Sequence, residues 1–249
     1  MKLMEYNQST IFGIYPVQEA VSSNIHIDKL FIQKGTVNPK IEAIVKDLEK
    51  KNSTISFVPF EKLDKLTRGN HQGIVAITSP ISFHSLENIV ETVLETKKQP
   101  LFIILDQISD VRNFGAILRT AECTGVDAVI IQKKGGAPVS GDTVKTSAGA
   151  IFKIPICKVD HIKDAIYYLQ GSGIKTIGAT EKTAEHIYNL ELNQPVAIVM
   201  GSEDKGISRS VLNILDYKAS LPLLGEINSL NVSVACGAFL YEIVRQRSL

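Results

Sequence analysis

Apolar residues recur along this chain with two periods, and the alternation between them lays out an α/β protein in two parts. In the first part Ile11–Tyr15 is short and apolar, and Pro16 is placed to start the helix suggested by Val17–Ser22. Lys29–Gln33 reads as a strand. Pro39–Lys51 carries Ile41, Ile44, Val45 and Leu48 at helical spacing against a charged back. Thr54–Val58 predicts a second strand, Glu61–Leu66 a short helix and Gln72–Thr78 a third strand. The spacing therefore predicts a small α/β domain over 1–79.

Pro80–His84 has no period and reads as a joint, Leu86–Thr96 as a connecting helix, so that 80–98 links the two parts. From 99 to 249 the pattern changes. Leu101–Leu105 is a continuous apolar run, the mark of a strand buried on both faces. Similar runs recur at Ala128–Ile131, Ile154–Cys157, Ile174–Ala179 and Val196–Met200, with helical patterns at Asn113–Cys123, Ile162–Leu169 and Ser208–Leu215. Such alternation predicts a mostly parallel sheet covered by helices on both sides. In sheets of that kind ligands bind beyond the carboxyl ends of the strands.

Composition narrows the function classes only slightly. With 249 residues and 44% hydrophobic content the chain can bury two cores. The net charge is +1, with 10 basic against 8 acidic residues through Pro80 and 17 against 18 beyond, so the totals neither favour nor exclude nucleic acid. Cys123, Cys157 and Cys236 are scattered and read as buried reduced thiols. Met1–Asn7 lacks the apolar stretch of a signal peptide, and no apolar run approaches the roughly 18 residues of a membrane span, which predicts a cytoplasmic protein with no membrane partner. The five histidines show no metal-ligand spacing, no nucleophile elbow occurs, and no metal is expected. A nicotinamide enzyme would carry a glycine fingerprint after its first strand; here Leu105 leads into DQISDVRN.

Three segments could carry chemistry. In Asp106–Gly125, Asn113 is a candidate helix N-cap and Phe114, Ile117, Leu118 and Ala121 form the apolar stripe. Arg119 lies on the other side, either as an exposed arginine paired with Glu122 or as a working group. Gly115 early in that helix costs about 1 kcal/mol relative to alanine, which suggests a close approach to its backbone. In Val196–Ser208 a strand runs into Gly201-Ser202-Glu203-Asp204-Lys205-Gly206, either a functional loop or a turn in which both glycines supply permissive φ angles. In Leu221–Arg247 an extended LPLLG and a polar loop precede a helix striped with Val232, Ala235, Cys236, Phe239 and Ile243, whose N-terminal amides could receive an anionic group.

In this order the three segments resemble the motifs of the SpoU (TrmH-like) RNA ribose 2′-O-methyltransferases of the SPOUT superfamily. The residues are Asn113-Phe114-Gly115-Ala116-Ile117-Leu118-Arg119-Thr120-Ala121, then Gly201 to Ser208, then Ser229-Leu230-Asn231-Val232-Ser233-Val234-Ala235 with the closing Arg245-Gln246-Arg247. Phe12-Gly13 and His71-Gln72-Gly73-Ile74 resemble the substrate-binding domain of many members. One departure is Val111, where the family usually has proline.

The resemblance implies a trefoil-knotted parallel-sheet domain at 99–249, a ribosomal-protein-L30-like RNA-binding domain at 1–79, and a homodimer. It implies S-adenosylmethionine held near Ala179, Thr180, Met200, Gly201, Leu221, Ser229 and Leu230. It implies a catalytic group of Arg119, Asn113, Glu203, Ser229 and Asn231, with Arg119 acting, from its own or the partner subunit, either as a base or as a phosphate grip. The two-domain layout resembles the enzymes that methylate a guanosine of large-subunit (23S) rRNA, with a tRNA ribose or non-catalytic RNA binding as alternatives.

Overall fold

The computed structural model describes residues 10–50 and 53–248. The chain divides into two compact units, the first running to Ser82 and taking in Val139–Gly141, the second made of Phe83–Pro138 and the residues from Asp142 on.

In the first unit β1 (Thr10–Phe12) leads into α1 (Ile14–Ser22), followed by β2 (Ile27–Gln33), α2 (Pro39–Lys50), β3 (Thr54–Val58), α3 (Phe60–Leu66) and β4 (Ile74–Thr78). The sheet order is β1-β4-β2-β3, with β2 and β3 parallel and β4 antiparallel to both its neighbours. Val17, Ala20 and Val21 of α1 and Ile41, Ile44 and Leu48 of α2 form one core with Leu30, Ile32, Ile74 and Ala76 of the sheet. The helix after β1 starts at Ile14, not at Pro16. Gly13 at φ +89 makes the turn, and Pro16 sits in the first turn, where its missing N–H is tolerated. Lys51, predicted as the last residue of α2, lies outside the described residues. The Phe12-Gly13 and His71–Ile74 segments meet: Gln72 Oε1 accepts the Ile14 N–H at 3.0 Å, and Gly13 N–H donates to Ile74 C=O at 3.2 Å.

The second unit contains α4 (Leu86–Thr96), β5 (Leu101–Asp106), α5 (Val111–Cys123), β6 (Ala128–Gln132), α6 (Gly141–Thr146), β7 (Ile156–Val159), α7 (Ile162–Gly171), β8 (Lys175–Ala179), β9 (Val196–Gly201), α8 (Arg209–Leu212), β10 (Tyr217–Ala219) and α9 (Val232–Arg247). Its six strands are all parallel, in the order β10-β8-β9-β5-β6-β7. Every residue of β5 and β9 is buried, as their unbroken apolar runs require. Helices α4, α7 and α8 share a core with one face of the sheet through Leu86, Val90, Ile162, Ile166, Leu169 and Val211. Helix α9 packs on α5, β8 and β9.

Two elements end or begin elsewhere than the apolar runs predict. The Ile154–Cys157 run starts its strand two residues later, at Ile156, because a 3-10 turn at Ala150–Phe152, entered through Gly149 at φ +84, occupies the stretch before it. Only Arg209–Leu212 of the Ser208–Leu215 pattern is helical, while Ile214 and Leu215 pack against the core without continuing the helix. Cys157 and Cys236 are buried, which pushes both thiols up to about 12, but Cys123 is exposed at the end of α5, contrary to the reading of three buried thiols.

Candidate active site

Parallel register brings the carboxyl ends of β8, β9 and β10 to one edge of the sheet, with Ala179 opposite Ala219 and Gly201 opposite Asp106 of β5. A cavity of about 320 Å³ opens there. Its walls include Ala179 and Thr180 at the end of β8, Met200 to Gly206 at the end of β9 and in the loop beyond it, and Leu221, Ser229 and Leu230 from the segment between β10 and α9. All seven residues expected to hold a cofactor therefore line one space. Lys182, Ser220, Leu223 and Phe239 line it too; the sequence marks Phe239 only as part of a helix stripe and gives no functional signal for the other three.

The loop after β9 closes on itself. Ser202 and Gly206 form a bridge in which Gly206 N–H donates to Ser202 C=O at 2.8 Å. The two glycines serve different needs. Gly206 takes φ +67, while Gly201 is required for space: a Cβ there would run into the backbone of Gly206 and Ile207. Buried Asp106 anchors the far end of the loop by accepting the Ser208 N–H at 2.8 Å.

Asn231 joins all three motifs. Its Oδ1 caps α9 by accepting from Ser233 N–H at 3.0 Å and Val234 N–H at 3.3 Å, which fixes the side-chain amide's orientation. Its Nδ2 donates to Asn113 Oδ1 at 2.9 Å and, through a short bond, to Glu203 Oε1. The Asn231 amide is thereby fully used, which leaves Asn113 Nδ2 as a donor and Glu203 Oε2 as an acceptor for something else.

Asn113 is free for this contact because the cap of α5 lies three residues earlier than its sequence suggests. Asp110 Oδ1 accepts the Asn113 N–H at 2.8 Å, and the helix begins at Val111. Gly115 has the close neighbour its position implies: a Cβ would enter the Thr146 side chain and lie 2.9 Å from Ser147 N. Arg119 is exposed on α5 and does not line the cavity. Its expected partner Glu122 pairs instead with Lys153 at 3.0 Å. Among the described residues there is no cluster of three metal-ligating side chains and no helix long and apolar enough to cross a membrane.

The cavity suits a zwitterionic sulfonium nucleoside. Met200, Leu221, Leu223 and Leu230 offer apolar surface for a purine ring, Thr180, Ser220 and Ser229 offer hydroxyls, and charges of both signs stand at Glu181, Lys182, Glu203 and Lys205.

Comparison with known proteins gives the same outline. Residues 100–241 match the SpoU rRNA methylase family, and residues 10–84 match the RNA 2′-O ribose methyltransferase substrate-binding family. A Bacillus subtilis (strain 168) protein assigned to the TrmH family of tRNA/rRNA methyltransferases, YacO, is 33% identical over 98% of this chain and 98% of its own length. A Staphylococcus aureus (strain MSSA476) protein with the same assignment is 35% identical over 96% of both chains. The crystal structure of the SpoU methyltransferase AviRb from Streptomyces viridochromogenes, in complex with the cofactor AdoMet, superposes with a TM-score of 0.61 over 97% of this chain and 91% of that one. At 22% identity this likeness speaks for the fold.

Proposed function

The chain belongs to the SpoU/TrmH family of RNA methyltransferases, and from that premise we propose that it transfers a methyl group from S-adenosylmethionine to a ribose 2′-hydroxyl of structured RNA. The observation that carries the reading is the bonding of Asn113 in the first turn of α5, Glu203 in the loop after β9 and Asn231 at the cap of α9, beside the cavity at the ends of β8, β9 and β10.

The sulfonium supplies an activated methyl and a good leaving group, so the protein's part is to orient the acceptor and assist loss of its proton. Leu221 and Leu230 would flank the adenine, while backbone at Ala179, Thr180, Met200 and Gly201 and the Ser229 hydroxyl would hold the rest. Asn231, fixed by the α9 cap, holds the Glu203 carboxylate in place. Glu203 Oε2 and Asn113 Nδ2 then face the sugar as acceptor and donor. Arginine keeps its proton at neutral pH, so Arg119 grips the phosphate next to the target ribose while water removes the hydroxyl proton. That Arg119 does not line its own protomer's cavity supports action across a homodimer.

The finer assignments rest on the family resemblance. The target is a guanosine of large-subunit (23S) rRNA, the first unit is a ribosomal-protein-L30-like substrate binder within 1–79, and 99–249 forms a trefoil knot. The enzyme works in the cytoplasm, where the RNA is.

Calorimetric titration with S-adenosylmethionine tests the donor, with saturable one-site binding expected and no heat fatal to the reading. Mapping 2′-O-methyl sites in rRNA and tRNA with and without the gene tests the acceptor. A site lost from 23S rRNA is expected; one lost from tRNA moves the target to tRNA.

A further inference from the structure

A second cavity, of about 450 Å³, opens on the same sheet edge and shares Ser202, Asp204 and Lys205 with the first. Strand order explains the pairing. The first cavity lies over β10, β8 and β9, and the second over β9, β5 and β6, with the Ser202–Gly206 loop as the partition. Gln107 and Ser109 follow β5, Gln132 ends β6 and Lys134 follows it. The outer walls are tied together, since Ala137 N–H donates to Ile108 C=O at 2.8 Å and so joins the loops after β5 and β6. Gln107 holds φ +61, a left-handed conformation that costs a glutamine energy and that functional loops tolerate more often than others.

The lining is polar and biased toward positive charge. Lys133 is committed to Asp160 at 3.0 Å, whereas Lys134 and Lys205 are exposed and pair with no other described residue. Against these two ammonium groups stands one carboxylate, Asp204. Gln107 and Gln132 add amides, which can both donate and accept. An open polar cleft of this size has room for one nucleotide.

We infer that the cleft over β9, β5 and β6 holds one nucleotide of the acceptor RNA next to the methylated ribose, with its phosphodiester at Lys134 and Lys205 and its base edge at Gln107 and Gln132. The inference rests on the methyltransferase reading above and adds a second RNA subsite to it. Single-stranded nucleotides are recognised through exposed base edges and phosphates, which this lining supplies. The partition loop carries Glu203, so the reacting ribose and its neighbour would lie on either side of one short turn.

Lys134 and Gln132 line only the second cavity, so their variants separate the two sites. The probes are bulk rRNA and bulk tRNA from a strain lacking the gene, with binding measured across a salt series. Lys134→Ala should weaken RNA binding about fivefold near 0.1 M salt and flatten the log–log salt slope by about 0.7 to 0.9. Lys134→Arg should restore both. Gln132→Ala should raise KM for RNA with kcat little changed. Affinity for S-adenosylmethionine should stay within about twofold of wild type in all three. RNA affinity and salt slope unchanged in Lys134→Ala, or a parallel loss of cofactor affinity, overturns the inference. Wild-type protein that binds RNA but not S-adenosylmethionine overturns the methyltransferase reading instead.

Discussion

At the scale of single residues, Asn231 has two jobs that substitution can separate. Its Oδ1 caps α9 and its Nδ2 ties Asn113 to Glu203. Aspartate keeps the capping oxygen, removes both donors and sets a second carboxylate beside Glu203. Asn231→Asp should therefore keep the wild-type urea midpoint closely while turnover falls on the order of 100-fold. Asn231→Ala should lose about 1 kcal/mol of stability as well. Equal turnover in the aspartate variant would show that the junction is only a helix cap. Val111 offers the opposite kind of test. It is the first residue of α5, its N–H makes no intrahelical bond, and Asp110 before it is already extended at φ −75, ψ 126. Val111→Pro, the residue usual in the family, should raise stability by about 0.5–1 kcal/mol in urea unfolding by restricting the unfolded chain. Gly201→Ala should destabilise by at least 1–3 kcal/mol and remove cofactor binding, because the backbone of Gly206 and Ile207 occupies the space.

At the scale of elements, what was legible follows from how strongly each residue pattern is tied to its neighbours in sequence. β5 and β9 are buried on both faces and announce themselves as unbroken apolar runs. β10 is three residues at the sheet edge, Tyr217-Lys218-Ala219, two of them exposed, and the Gly141–Thr146 helix is barely a turn and a half, so neither carries a period to read. The same limit applies to the site. Asn113, Glu203 and Asn231 could be picked out through a motif, but their bonding depends on the register of β5 against β9 and on a cap that no local pattern reveals. What holds β10 in place is also non-local. Asp216, just before it, accepts from the Thr176 amide and hydroxyl, each at 2.8 Å. Burial opposes ionisation of Asp216, but these bonds and the one from Gln170 outweigh it and hold its carboxyl below the ordinary value. A folded-state pKa below the unfolded one gives stability that is complete above the ordinary aspartate range near pH 4. That stability is lost as the pH falls through the folded value. Asp216→Asn should therefore be less stable than wild type by about 1 kcal/mol at pH 7. The gap should narrow toward pH 3 in urea unfolding; one that stays constant with pH would remove the charge from the explanation.

At the scale of the whole molecule, the proposed homodimer would have apolar surface near the site to cover. Leu224 is 99% exposed and Ile227 78% exposed in the segment that walls the cavity, and Tyr241 on α9 is 56% exposed. Exposed apolar groups of this kind are what a second copy, as proposed above, would cover. Arg119 on α5 does not line its own cavity, and α5 packs against α9, so a partner seated on this pair of helices could receive that guanidinium. A two-fold dimer would then contain two composite sites, each with a cavity from one protomer and an arginine from the other. Complementation follows directly. Arg119→Ala and Asn231→Asp should each be nearly inactive alone. After mixing and exchange of subunits, half the dimers are mixed, and each mixed dimer holds one site with both its asparagine and its arginine intact. Activity should return to roughly a quarter of wild type. If Arg119 served its own protomer, every site in the mixed dimer would lack one group or keep both defects apart in separate inactive sites, and mixing would restore nothing.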